Sequence, residues 1–283
     1  MSRRSKQPAV GLLALHLTAL LTLLGGLGTL VVRTAPPAAL PAAAPASAPS
    51  SLPLRPTPGE GSPPLRPRQN LVVLGDSVPA ATACSCPGFG TDLARSVQPA
   101  DLTNAAESGL TSQGLLVQLS SPAVIQALGR ATVVTVTVGA NDFDDSLAAG
   151  DSCLNASCYA PTLREMNATM TEIANRLDTL TQPGAKVVLT GYWNVFRDGA
   201  VGSRLGPNYV ATSDTLTRQV NAALAKIAAR AHLQYADLYA PFKGDGSRDD
   251  TALLASDGDH PDADGHALIA AVIATAADLA TLQ

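Results

Sequence analysis

The chain has 283 residues, enough for one large domain or two small ones, and its apolar fraction of 46% supplies a sizeable core. The formal charge is −4 overall, but from Asn70 onward 12 Lys and Arg face 22 Asp and Glu, so the region beyond residue 69 carries about −10. Such a surface repels phosphate backbones, no basic patch with interleaved aromatics occurs, and nucleic acid is excluded as a partner.

The first segment sets the topology. Arg3, Arg4 and Lys6 precede an uncharged run from Val10 to Val32 rich in Leu, Val, Gly and Ala. At about 1.5 Å per residue a helix of this length spans a hydrocarbon core of about 30 Å. Residues 1–33 therefore read as a single hydrophobic helix, a signal-anchor that ties the protein to the membrane, with a cleaved signal peptide as the alternative. Both readings place the remainder outside the cytoplasm. Residues 34–69 hold 11 of the 21 prolines among Ala and Ser, which predicts an extended, semi-rigid linker.

From Asn70 strands and helices alternate. Asn70–Leu74 is a short apolar strand and Phe89–Val97 a short helix. Asp101–Asn104 is a weak strand, and Ser112–Leu128 has helical spacing broken near Pro122. Ala131–Val138 is dense in β-branched residues and is the clearest strand. Pro161–Leu180 repeats apolar residues at helical spacing with Pro in its first turn. Lys186–Thr190 is a strand, Asn208–Ala231 a long helix, Leu233–Leu238 a last strand and Ala263–Leu282 a last helix. Strands apolar on both faces imply an α/β fold with a parallel sheet covered by helices on both sides. Ligands in such sheets sit at the carboxyl ends of the strands.

Four stretches fall at or near that rim: Gly75-Asp76-Ser77-Val78, the Gly109 end of Asn104–Gly109, Gly139-Ala140-Asn141-Asp142, and Asp257-Gly-Asp-His260-Pro261. Acyl transfer needs one group from each. A serine hydroxyl requires a base, and His260 can supply it because imidazole titrates near neutral pH. Asp257, three residues earlier, can hold the far ring nitrogen, in preference to Asp259 or Asp262. The backbone N–H groups of Ser77 and Gly109 and the side-chain amide of Asn141 are candidate donors to an oxyanion. Asp76 and Asp142 read as carboxylates that order their loops.

These blocks, in this order and spacing, resemble those of the SGNH (GDSL-type) hydrolase family, over about residues 70–283. The resemblance implies a flavodoxin-like three-layer α/β/α fold with a five-stranded, mainly parallel sheet. It also implies a serine esterase, carboxylesterase- or lipase-like, with Ser77, Asp257 and His260 as triad and Ser77, Gly109 and Asn141 as oxyanion hole. Small acyl esters, acetylated glycans and lipids are all substrates on this scaffold, so an ester is the expected partner, without a named acyl chain. Exported actinobacterial members are similar in carrying paired cysteines after the serine and asparagine blocks. Val78-Pro79 departs from the Leu-Ser of many members. The same residues could instead transfer an acyl group to a glycan, and a non-catalytic envelope-binding domain is a third reading.

The remaining residues receive plainer readings. Cys84, Cys86, Cys153 and Cys158 predict two disulfides rather than a metal site. Three pairings are open. Pairing across the two loops avoids the tight ring of a Cys84–Cys86 bridge and is preferred. The acidic run Asp142–Asp145 reads as a solvated loop rather than a calcium site, and no cofactor is called for. His232 and His266 read as structural, and His16 as part of the apolar N-terminal run. Tyr192 and Trp193 either wall a substrate groove or fill the core. Asn155-Ala-Ser157 and Asn167-Ala-Thr169 fit glycosylation acceptors.

Overall fold

A computed structural model describes residues 67–98, 100–149, 153 and 155–281. The apolar span of residues 1–33 and nearly all of the linker lie outside the described residues. Among the described residues, no helix is long and apolar enough to cross a membrane.

In chain order the elements are β1 (Gln69–Gly75), α1 (Gly88–Ser96), β2 (Ala100–Asn104), α2 (Ser112–Gln118), α3 (Pro122–Leu128), β3 (Val133–Thr137) and α4 (Ser146–Ala149). There follow α5 (Ala160–Leu180), β4 (Lys186–Thr190), α6 (Gly199–Arg204), α7 (Pro207–Arg230), β5 (Gln234–Ala236), α8 (Tyr239–Lys243) and α9 (Ala263–Ala276). The five strands form one sheet, ordered β2-β1-β3-β4-β5 and parallel throughout. This is the expected flavodoxin-like arrangement, and all of it is parallel rather than most of it.

The sheet is buried because both its faces are covered. One face carries Leu71 and Val73, with Gly90 of α1 lying 3.1 Å from Val73 when given a Cβ. There α1 packs against α9. On the other face, Val136, Val187 and Leu189 meet Met170, Ile173 and Leu177 of α5, and α5 packs against α2 and α7. All five residues of β3 are buried, which is why its sequence is β-branched without alternation. Lys186 starts β4 on the α1/α9 face, and its Nζ donates to the carbonyls of Ala277 and Asp278 at the end of α9, where a cation complements the helix dipole.

The long segment 112–128 divides as expected. Ser121 is extended (ψ 130°) before Pro122 opens α3, since a residue preceding proline avoids helical backbone. The last helix stops at Ala276, six residues before the expected Leu282. Asp278 takes φ +46° while Leu279 N–H reaches Ala274 O (2.9 Å), a Schellman closure with Asp in the place glycine usually fills. His232 (φ +56°) closes α7 in the same manner.

The disulfides correct the expected pairing. Cys84 bonds Cys86, with Cα atoms 5.1 Å apart, and Cys153 bonds Cys158, with Cα atoms 5.9 Å apart. Both spacings suit a disulfide. The cross-paired alternative fails because the first loop feeds α1 on one face of the sheet and the second feeds α5 on the other. A turn at Ala81–Cys84, with Ala81 and Ala83 at positive φ, folds the chain tightly enough for the short ring.

Candidate active site

Strand order reverses at β1 and β3, so a crevice opens at their carboxyl ends. Gly75 ends β1 at φ +131°, and a Cβ there would lie 1.9 Å from Thr137 O. Only glycine can make this turn beside the neighbouring strand. Asp76 N–H then donates to Thr137 O (3.0 Å) as the last rung between the two strands. The buried Asp76 carboxylate accepts Val78 N–H at Oδ1 (3.0 Å) and the Tyr192 hydroxyl at Oδ2. It orders the loop, as expected. Burial pushes this carboxyl up to about 7, against the pull of those two hydrogen bonds. Thr82 N–H returns to Ser77 O (3.0 Å), so Ser77 sits at the head of a wound turn, half-buried, on the wall of a cavity.

The next two blocks are pinned to each other. Ala105 and Glu107 N–H donate to Val73 and Gly75 O (both 2.9 Å), which brings the loop after β2 alongside β1. Asp142 accepts Ser112 N–H (2.9 Å) and Ser112 Oγ–H (2.5 Å). Asn141 Nδ2 donates to Leu110 O (3.2 Å), which leaves its second amide hydrogen for another acceptor. Asn141 lines the cavity with Ser77. Gly109 (φ +78°) is exposed and is not among the lining residues; it adjoins the group through the Leu110–Asn141 bond.

The last block forms a compact loop before α9. Asp257 Oδ2 lies 2.8 Å from His260 Nδ1, and its Oδ1 accepts the N–H groups of Asp259 (3.0 Å) and His260 (3.1 Å). Burial raises the Asp257 carboxyl, but these three bonds outweigh it and hold the group below the usual range. Asp259 Oδ2 is 3.8 Å from the same ring nitrogen, and burial raises its carboxyl. Asp257, not Asp259, is therefore the bonded partner of the imidazole. Gly258 (φ +72°) makes the turn where a Cβ would strike Val201 at 2.4 Å. Asp262 caps α9 through Gly265 N–H (2.9 Å) and so is occupied elsewhere. With Nδ1 engaged, Nε2 is the free nitrogen of His260, which shares the cavity with Ser77. Among the described residues no hydrogen bond joins the two side chains; such bonds commonly tighten only with substrate present.

The cavity holds about 240 Å³. Its far wall comes from the segment after β4: Tyr192, Trp193, Asn194, Val195, Phe196 and Arg197. Tyr192 and Trp193 are both buried and both line it, so the two roles considered for them coexist. Trp193 stacks on Phe242 with ring centroids 4.7 Å apart. Arg197 pairs with Asp145 (2.6 Å) at the rim. Asn194, Phe196 and Arg197 carry no motif, and their position after β4 at the active rim is the one sequence signal for them; the pairing of Arg197 with Asp145 leaves none. The acidic run divides its work: Asp142 holds Ser112, Asp144 accepts Ser146 N–H (3.0 Å) and Asp145 holds Arg197. His266 is buried in α9, where Nδ1 accepts Phe89 N–H (3.2 Å), a structural role on α1.

Comparisons with known proteins bear on the fold and the family. A search of curated protein sequences finds no match. Among solved structures, a lipase from a goat rumen metagenome is similar, with 19% identity and a TM-score of 0.61 over 74% of this chain and 97% of the other. An extracellular lipase from Streptomyces rimosus is 21% identical, with a TM-score of 0.58 over 74% of this chain and 99% of that one. An acetylxylan esterase from Geobacillus stearothermophilus is 18% identical, with a TM-score of 0.52 over 73% and 93%. At these identities the likeness is one of fold. The profile of the GDSL-like lipase/acylhydrolase family, however, matches residues 73–268, more than half of the chain. The chain belongs to that family and is a serine hydrolase acting on ester bonds.

Proposed function

We propose that the protein hydrolyses a carboxylic ester of short acyl chain through an acyl-enzyme on Ser77. The observation that carries this reading is the Asp257–His260 pair at 2.8 Å, turned to a cavity that also holds Ser77 and Asn141. His260 Nε2 takes the proton as Ser77 Oγ attacks the carbonyl. Asp257 keeps the tautomer and stabilises the imidazolium. The oxyanion meets Ser77 N–H and the Asn141 amide, with Gly109 N–H, which adjoins them through Leu110, as the third donor. Collapse expels the alcohol, protonated by His260, and water activated by the same nitrogen releases the acid.

Cavity size favours a short acyl group. About 240 Å³, with Trp193 in its wall and Phe242 stacked behind that ring, leaves little room for a long chain. The similar fold of an acetylxylan esterase is compatible with this preference. A fluorophosphonate probe should label the wild type and spare Ser77→Ala, and p-nitrophenyl esters should be turned over faster at two to four carbons than at twelve. Equal labelling of Ser77→Ala would refute the acyl-enzyme, and a preference for the long ester would refute the short-chain reading.

We also place the hydrolase domain, residues 70–283, outside the cytoplasm, on the linker of residues 34–69 behind the anchor or signal of residues 1–33. Two disulfides in a domain of this size support an oxidising compartment. Protease accessibility in intact cells tests this placement; protection of the domain until lysis counts against it.

A further inference from the structure

The β1–β3 ladder ends at Gly75 and Thr137, and the loops bearing Ser77 and Asn141 begin where its hydrogen bonds stop. Tyr192 stands at this gap. Its hydroxyl donates to Asp76 Oδ2, and its oxygen accepts Ala140 N–H (3.4 Å). Asp76 and Ala140 are the residues directly before Ser77 and Asn141. Among the described residues, Tyr192 is the one side chain hydrogen-bonded to both loops. It is itself clamped: Tyr192 N–H donates to Asn221 Oδ1 (2.9 Å), and Asn221 Nδ2 donates to Tyr192 O (2.8 Å). Gly191 permits that clamp, since a Cβ there would lie 2.8 Å from Asn221 Oδ1 and 2.3 Å from Tyr235 Oη.

A ring that only filled space would not need a hydroxyl. A buried phenol oxygen is costly unless it is bonded, and this one is bonded to the two loops whose spacing acyl transfer depends on. We propose that Tyr192 is a positioning residue for the reaction, tying the Ser77 loop to the Asn141 loop so that the attacking oxygen and the oxyanion donor stay in register. The inference rests on the roles given above to Ser77 and Asn141. Displacements of about 1 Å in such a pair cost on the order of 100-fold in rate.

The Asp76 carboxylate reports on the tie. Burial raises it and the Tyr192 hydroxyl lowers it; Val78 N–H also lowers it, Asp259 and His260 face it through space, and Asp142 bears on Tyr192. Removing the hydroxyl lets burial dominate, so Asp76 takes up its proton at higher pH and can no longer accept at both oxygens.

The test uses the full-length protein with p-nitrophenyl acetate. In Tyr192→Phe, kcat should fall about 10- to 100-fold with KM within about threefold, because the lost contact orders reacting groups rather than binding substrate. The acid limb of the kcat profile should move to higher pH, and amide exchange at Ala140–Phe143 should quicken. Asp76→Asn breaks the same tie from its other end, so adding Tyr192→Phe to it should cost less than about threefold more. A Tyr192→Phe enzyme within about twofold of wild type with an unmoved pH profile overturns the proposal, as does full additivity of the two changes. Should Tyr192→Phe not fold, Asp76→Asn decides: a kcat loss at constant KM supports the tie and an unchanged kcat removes it. Should the wild type neither label nor hydrolyse, the acyl-enzyme reading fails by itself, and exchange at Ala140 still decides the tie.

Discussion

In the proposed mechanism the Asp257–His260 pair and Asn141 carry different parts of the chemistry, and their substitutions should separate. Asp257→Asn keeps the shape of the loop but places an amide where the imidazole needs an acceptor. Its kcat should fall by about 100- to 10,000-fold. Asn141→Ala removes one oxyanion donor and the bond to Leu110 O; its kcat should fall by about 100- to 1,000-fold with KM little changed. Steady-state kinetics on a short ester checks both, and an Asn141→Ala enzyme with unchanged kcat would remove it from the oxyanion hole. These residues were legible because each lies in a short motif beside a strand end. Choosing Asp257 over Asp259 rested on the divergence of neighbouring side chains, and the 2.8 and 3.8 Å distances agree. Arg197 and Asp145 were not legible, since an ion pair 52 residues apart leaves no local pattern.

Within elements, pattern carried most of the information and termini carried the least. The β-branched run of β3 and the apolar spacing of α5 and α7 depend on burial on one or two faces, which a sequence records directly. The end of α9 was misjudged because Asp278 adopts the left-handed backbone without being glycine. The disulfides were misjudged because ring strain was weighed without knowing that the sheet stands between the two loops. The end of β1 is where backbone geometry is least forgiving. Gly75→Ala would set a Cβ 1.9 Å from Thr137 O at a φ of +131°. Neither strand can retreat without breaking the ladder that aligns the site. We expect a loss of more than about 4 kcal/mol, seen as insoluble protein or a collapsed Tm. A soluble Gly75→Ala protein with wild-type Tm would mean that the loop can reroute. A milder case is Asp262→Ala, which loses the cap of α9 and should cost about 1 kcal/mol in thermal unfolding.

At the scale of the whole molecule, the acidity noted at the outset has an internal component. Asp250 is 1% exposed, and neither of its oxygens accepts a hydrogen bond from a donor among the described residues. Beside it lies the buried pair of Lys243 and Asp198, and Asp198 N–H also holds Gly258 O (2.6 Å) under the Asp257 loop. Burial, then the neighbouring Asp198 carboxylate, raises Asp250 to about 7. The unfolded chain releases this proton near pH 4, whereas the folded chain keeps it until about pH 7. Between those values the native state binds more protons than the unfolded one, so its stability falls as pH rises through the window and levels off above it. Asp250→Asn is neutral at every pH and should remove that loss. Thermal unfolding of the variant should match wild type at about pH 4, gain on it through the window, and exceed it at pH 8 by about 2–4 kcal/mol, a gain of several degrees for a domain of this size. The opposing term is attraction of an ionised Asp250 to Lys243, but that ammonium is already committed to Asp198. If Asp250→Asn instead lowered the Tm at pH 8, Lys243 would be serving both carboxylates and Asp250 would be ionised in the native state.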